Sequence, residues 1–194
     1  MTKKEVVDYF DRCAPSWDAN MIRNEEVIKK ILDNGGIKKG VSVLDVACGT
    51  GVLFPDYLAR NVSSVLGVDI SPEMAKIAAG KCDDPRVRVL CSDVTEMQTD
   101  ELFDCIMVYN AFPHFPEPRL LIQRLSDMLR TGGRLSVAHG MSRDKLAKHH
   151  SGEALRVSLD LPDTEYMTAI FSDWLDVDCV VSDDEMYQVS GIKR

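Results

Sequence analysis

Apolar residues recur along this chain at two spacings, and the alternation between them predicts its elements. Val6, Val7 and Phe10 fall at helical spacing within residues 3–12, and Pro15 ends that helix. Ile22, Val27, Ile28, Ile31 and Leu32 make the stripe of a second helix from about 19 to 33, stopped by Asn34-Gly35-Gly36. Val41, Val43, Leu44 and Val46 then form a near-continuous apolar run, which suits a strand buried on both faces of a parallel sheet. Further strands are expected at 64–69, 86–91, 102–109 and 134–138. Helices are expected between them at 52–60, 71–81 and 117–130, the last ending at Thr131-Gly132-Gly133. Strands alternating with helices imply a doubly wound parallel sheet covered on both faces.

Beyond residue 139 the alternation loosens. A helix is expected from Ser142 to about His150, an irregular connection over 151–162, and a helix over 163–175 carrying Tyr166, Ile170, Phe171 and Trp174 on one face. Residues 177–181 and 185–191 read as two strands joined by Ser182-Asp183-Asp184, hence a C-terminal antiparallel hairpin. No repeat or linker interrupts the chain. One domain over 1–194 is expected, with an N-terminal helical cap (1–36), a ligand-binding core (37–140) and a substrate-side segment with the hairpin (141–194).

Composition narrows the partners. The net charge of −8, without a stripe of Lys and Arg, makes nucleic acid and anionic membrane surfaces poor partners. The N-terminus is charged and no apolar run approaches the ~18 residues of a membrane span. Six scattered cysteines without a CxxC pair suggest reduced thiols in the cytoplasm, with Cys91, Cys105 and Cys179 as small buried hydrophobes.

The chemistry begins where the first strand meets Ala47-Cys48-Gly49-Thr50-Gly51. Such a small-residue turn lets a ligand approach the backbone, with a helix N-terminus directed at it. In a doubly wound sheet the ligand sits at the carboxyl ends of the strands. Asp45, Asp69 and Asp93 all fall at such ends, and Asp69 lies about 20 residues past the turn, the spacing at which an acid meets a ribose diol. One such Asp could merely cap a helix; three in register behind a glycine turn suggest a nucleoside site. A dinucleotide fingerprint would need a third glycine where Val52 stands. Asp45 would also lie close to the pyrophosphate, whereas it suits a ligand with a positive end.

Leu44-Asp-Val-Ala-Cys-Gly-Thr-Gly51 resembles the first motif of the class I S-adenosylmethionine-dependent methyltransferases, with Ala47 where glycine is common. The resemblance continues through Gly67-Val-Asp-Ile-Ser71, Cys91-Ser-Asp-Val94 and Phe103–Phe115. It implies a Rossmann-like seven-stranded sheet, S-adenosyl-L-methionine as cofactor and S-adenosyl-L-homocysteine as product. The turn (Ala47, Cys48, Gly49, Gly51) with Asp45 would hold the methionine end, Asp69 with Ile70 the ribose, and Asp93 with Val94 the adenine. Tyr109 and Asn110 are further expected contacts. Tyr9-Phe10-Asp11…Trp17-Asp18 resembles the N-terminal segment of the quinone-type small-molecule enzymes, which implies that Tyr9 and Trp17 close over the cofactor. Aromatic faces there could favour the sulfonium by up to ~2 kcal/mol when desolvated.

The acceptor is less legible. The Asn/Asp-Pro-Pro-Tyr/Phe run of enzymes that methylate base or glutamine amino groups is replaced by Asn110-Ala111-Phe112-Pro113. With the acidic charge, this favours a small neutral or cationic acceptor and a monomer or homodimer. His114, His149 and His150, with Tyr109, are candidate catalytic residues, since imidazole is a suitable base for a hydroxyl or thiol. His139 ends the fifth strand on the same face. No metal is expected, because His149 and His150 are adjacent and cannot share a helical face. A catalytically silent cofactor-binding sensor or partner subunit is the alternative reading, and a nicotinamide oxidoreductase the more distant one.

Overall fold

The computed structural model describes residues 1–149 and 152–194, without the side chains of 148, 149 and 152–154. In chain order the helices are α1 (Lys3–Cys13), α2 (Trp17–Asn20), α3 (Glu25–Asn34), α4 (Phe54–Ala59), α5 (Pro72–Lys81), α6 (Pro118–Asp127), α7 (Arg143–His149) and α8 (Thr164–Phe171). The strands are β1 (Ser42–Val46), β2 (Ser64–Asp69), β3 (Val87–Cys91), β4 (Phe103–Tyr109), β5 (Leu129–His139), β6 (Leu175–Ser182) and β7 (Tyr187–Lys193). They form one sheet in the order β3-β2-β1-β4-β5-β7-β6. The first five strands are parallel, whereas β7 runs antiparallel to both β5 and β6.

Alternate residues of each inner strand feed two cores. Leu44, Val46, Ile106 and Val108 pack with Leu121, Ile122 and Leu125 of α6 and with Met167, Ile170 and Phe171 of α8. Val43, Val65 and Met107 point the other way, onto Val27, Ile28, Ile31 and Leu32 of α3 and onto Phe54 and Tyr57 of α4. Both faces are thus covered, as the unbroken apolar runs of β1 and β4 require. Chain order reverses on either side of β1, so the crevice between β1 and β4 is the switch point at which such sheets bind ligands. Among the described residues no helix is long and apolar enough to cross a membrane.

Several expectations need correction. The helix expected over 19–33 is broken: α2 ends at Asn20, and Asn24 caps α3 by accepting from the Val27 N–H at 3.3 Å. Ile22 therefore leaves the apolar stripe and is 95 % exposed. The glycine pair at 132–133 does not end a helix. It lies within β5, where the pairing with β4 slips and Gly132 takes a φ of 78°. Helix α8 stops at Phe171, so Trp174 lies beyond it, and Tyr166 faces solvent. The hairpin begins at β7 two residues later than expected, because Asp183 accepts from the Glu185 and Met186 N–H groups and extends the turn. Cys91 is exposed because β3 is an edge strand; Cys105, in a central strand, is buried.

Candidate functional site

The turn after β1 is built on left-handed backbone. Ala47, Gly49 and Gly51 have φ of 53°, 56° and 79°. The Cys48 N–H donates to Val68 O at 3.1 Å and the Gly51 N–H to Cys48 O at 2.9 Å, which ties the turn to β2 and closes it on itself. Phe54 packs beneath: a Cβ at Gly51 or at Gly67 would meet its ring at 2.6 Å. The close packing that a third glycine would have provided is therefore achieved between Gly51, Gly67 and one phenylalanine.

Asp69 braces this turn from the end of β2. Its Oδ2 accepts from the Gly49 N–H and its Oδ1 from the Ser71 N–H, both at 2.8 Å. Burial raises its pKa, against the pull of these backbone donors. Asp45, on β1, is 2 % exposed and lines the same cavity. Burial pushes its carboxyl up to about 8, the Tyr57 hydroxyl pulling back and the Asp69 charge adding to the rise. The buried Tyr57 hydroxyl lies beside it without a hydrogen bond of normal geometry. A buried carboxylate so weakly compensated favours a cationic ligand group.

Asp93 follows β3. Its Oδ1 accepts from Thr95 N–H at 2.8 Å and Thr95 Oγ1–H at 2.7 Å, and its Oδ2 pairs with Lys3 Nζ at 2.6 Å. Lys3 also reaches Glu96 at 2.5 Å. Burial raises the Asp93 pKa, but Lys3 and Thr95 outweigh it and the net direction is down. Lys3 carried no signal in the sequence that would have linked it to this site.

Residues 1–24 cross these strand ends as a strap fastened at several points along its length. Besides Lys3, Asp11 accepts from Ser71 Oγ–H at 2.5 Å and from Glu73 N–H at 3.2 Å. Asp18 accepts from Thr50 Oγ1–H and Lys81 Nζ, each at 2.6 Å. Trp17 lies over the glycine turn, with its Nε1 3.9 Å from where a Gly49 Cβ would stand. Phe10 packs edge-on against Trp17 and against His114, with centroids 5.7 and 4.9 Å apart. His114 Nδ1 lies 2.7 Å from Val157 O, and since a carbonyl only accepts, Nδ1 carries the proton.

Asn110 turns the chain at the end of β4 with a φ of 54°, and its Oδ1 accepts from the Gly140 N–H at 2.8 Å. Glycine at 140 leaves room for the neighbouring phenol, because a Cβ there would lie 2.4 Å from the Tyr109 hydroxyl.

These elements enclose a cavity of about 700 Å³. Asp45, Ala47, Cys48, Gly49, Asp69, Ile70, Asp93, Val94, Tyr109, Asn110, Trp17 and His114 all line it. Two expected contacts do not. Gly51 is buried under the turn against Phe54, and Tyr9 lies to one side, with Phe10 facing the cavity in its place. His139 is buried at the end of β5, edge-on to Tyr187. His149 ends α7 with its side chain outside the described residues, and His150 lies wholly outside them. Met21, Ile22 and Arg23 also line the cavity; the helix expected there had hidden them among stripe and surface positions.

Residues 43–133 match a family described as a methyltransferase domain. The (S)-coclaurine N-methyltransferase of Papaver somniferum is 32% identical over 124 residues, 61% of this chain and 35% of that protein. The ubiquinone biosynthesis O-methyltransferase of Coxiella burnetii is 27% identical over 141 residues, 69% of this chain and 60% of that one. The chain thus spans between about a third and three-fifths of the length of these curated relatives. The fold matches that of the magnesium protoporphyrin IX methyltransferase of Synechocystis PCC 6803, solved with bound S-adenosylhomocysteine, at a TM-score of 0.75 and 16% identity over all of both chains.

Proposed function

We propose that this chain, whose residues 43–133 match a family described as a methyltransferase domain, is a class I S-adenosylmethionine-dependent methyltransferase and transfers a methyl group from S-adenosylmethionine to a nucleophilic O, S, N or C atom of a small-molecule acceptor. The observation that carries this is one cavity lined by the glycine turn and by the carboxylates of Asp45, Asp69 and Asp93. The donor set suits the cofactor. Asp45 offers a buried carboxylate to an ammonium, and Asp69 keeps lone pairs for ribose hydroxyls beside its two backbone bonds. Asp93 with Val94 offers an acceptor and an apolar edge to a purine, and Trp17 covers the turn.

When bound, the cofactor supplies an electrophilic methyl on a positively charged sulfur. The chain's own residues then have three tasks. Trp17 and Phe10, in the fastened strap, exclude water and present aromatic faces to positive charge. Tyr109 and Asn110, at the end of β4, line the wall along which an acceptor is aligned, and positioning of this kind supplies ~7–11 kcal/mol of a displacement barrier. His114, protonated at Nδ1, has Nε2 as its basic nitrogen and takes the proton of a hydroxyl, thiol or ammonium acceptor. His149 and His150 stay candidates for acceptor contact. Residues 37–140 act as the cofactor-binding core, 1–36 as its cap and 141–194 as the substrate side of one domain. Six free cysteines favour a cytoplasmic setting, and the protein works as a monomer or homodimer.

Calorimetric titration with S-adenosylmethionine and with NAD tests the cofactor site; NAD binding alone would sink the reading. Labelled methyl transfer to a panel of phenols, thiols and amines tests the reaction. Cofactor binding without turnover of any acceptor would favour the silent sensor or partner subunit instead.

A further inference from the structure

We infer that Met21 and Ile22 form a subsite for an uncharged, apolar part of the methyl acceptor, which makes the acceptor a lipophilic small molecule. The inference deepens the methyl-transfer reading and rests on it.

Ile22 lines the cavity yet is 95 % exposed, and nothing among the described residues covers it. Its exposure is not that of a frayed end. The Met21 N–H bonds Asp18 O at 3.4 Å on one side, and Asn24 caps α3 on the other. Arg23 anchors the middle: its Nη1 donates to Val52 O at 2.7 Å, its Nε pairs with Glu25 at 2.8 Å and its Nη2 with Asp56 at 2.9 Å. The backbone thus holds a β-branched aliphatic side chain at the rim of a binding cavity, where only an incoming apolar surface can take it out of water.

The loop and the end of β4 line the same cavity, through Met21, Ile22 and Arg23 and through Tyr109 and Asn110. The Arg23 guanidinium is spent on three partners, so it offers nothing to an anionic acceptor. Lys3, a second cation on the cavity wall, is held by Asp93 and Glu96. Arg124 of α6 lines the cavity as well, and so does Glu117, the residue that precedes that helix. Asp69, Asp93, Glu96 and Glu117 also line the cavity, so even with Asp45 protonated the carboxylates outnumber the cationic side chains, which disfavours an anion. The neighbouring wall is apolar, formed by Phe10, Trp17 and Phe115.

The test is calorimetric titration of phenol, 4-ethylphenol and 4-butylphenol into the full chain, alone and saturated with S-adenosylhomocysteine. We expect Kd to fall by about three- to fourfold for each methylene that reaches Ile22. Ile22→Ser should flatten this dependence and Ile22→Leu should keep it, with S-adenosylhomocysteine affinity unchanged in both. 4-Hydroxybenzoate should bind more weakly than 4-ethylphenol. Equal chain-length dependence in the wild type and Ile22→Ser, no dependence at all, or tighter binding of 4-hydroxybenzoate would each overturn the subsite. So would a wild-type dimer that Ile22→Ser converts to monomer, since Ile22 would then face a second copy. Failure to bind S-adenosylhomocysteine would remove the methyl-transfer reading, while titration of the chain alone would still report on Ile22.

Discussion

Asp69 Oδ2 accepts the Gly49 N–H at 2.8 Å, so a carboxylate at the end of β2 fixes the glycine turn that follows β1. Its other oxygen accepts from Ser71 N–H at the head of α5. The acid that resemblance assigns to ribose is therefore also the brace that shapes the methionine end. Asp69→Asn sets an amide nitrogen against one of two backbone donors and leaves that buried N–H unpaired. We expect a loss of about 1–3 kcal/mol in denaturant unfolding at pH 7 and weaker S-adenosylmethionine binding in the same protein. Unchanged stability would show that the brace is dispensable.

Gly67 faces Phe54 and Cys48: a Cβ at this position would lie 2.6 Å from the phenyl ring and 3.0 Å from the sulfur. Both neighbours are buried, so Gly67→Ala should destabilise by about 1–3 kcal/mol. Adding Phe54→Leu, which shortens the side chain that collides, should recover part of that loss. A double mutant no more stable than the single would refute the contact with Phe54 as the cause.

Ala47 occupies a left-handed conformation, with a φ of 53°, in a position where glycine pays no Cβ penalty. Left-handed backbone costs an L-residue roughly 1–2 kcal/mol, and glycine's greater unfolded-state freedom offsets part of the relief. Ala47→Gly should therefore stabilise the fold by about 0.5–1 kcal/mol, read as a higher midpoint in urea. A lower midpoint would mean that the alanine methyl contributes packing worth more than the strain.

The parallel core and the three acids were legible because each rests on local chemistry: apolar runs for strands buried on both faces, small residues for a turn, a carboxylate at each strand end. What escaped depends on distant partners. Lys3 meets Asp93 from the far end of the chain, a relation that only the path of the strap creates. The break at Met21–Asn24 escaped because Ile22 completes a helical period by chance, while the Asn24 cap decides the true start of α3. Gly132 and Gly133 read as a helix stop, yet they serve a slip in pairing between β4 and β5 that no spacing along one strand reveals. Tyr9 and Phe10 are adjacent aromatics, and only the packing of Phe10 on Trp17 and His114 decides which one faces the cavity.

Lys3 holds the Asp93 oxygen that Thr95 leaves open, so an adenine amino group must share or displace that ammonium. The pair is exposed enough to be screened by salt. Lys3→Met should tighten adenosine binding by up to about fivefold, the upper value of a surface ion pair. It should also reduce the salt dependence of that binding. Weaker adenosine binding in Lys3→Met would instead make Lys3 a positioning residue for Asp93.

Asp45 links pH to both stability and cofactor affinity. Its folded pKa of about 8 lies above the ~3.9 of an unfolded chain. Between these values the folded state holds a proton that the unfolded state has released, so Asp45 favours folding at low pH. That contribution is lost as pH rises through the folded pKa, at up to about 1.4 kcal/mol per unit. Without ligand, the melting temperature should fall from pH 5 to pH 8, and Asp45→Asn should remove much of that slope. Cofactor binding should run the other way, because the ionised carboxylate is the form that pairs with an ammonium. S-adenosylmethionine affinity should rise by up to about tenfold per pH unit towards pH 8 and then level, while Asp45→Asn binds weakly and without this rise. Calorimetry across pH 6–9 on both proteins measures it, and parallel profiles would show that another group governs the dependence.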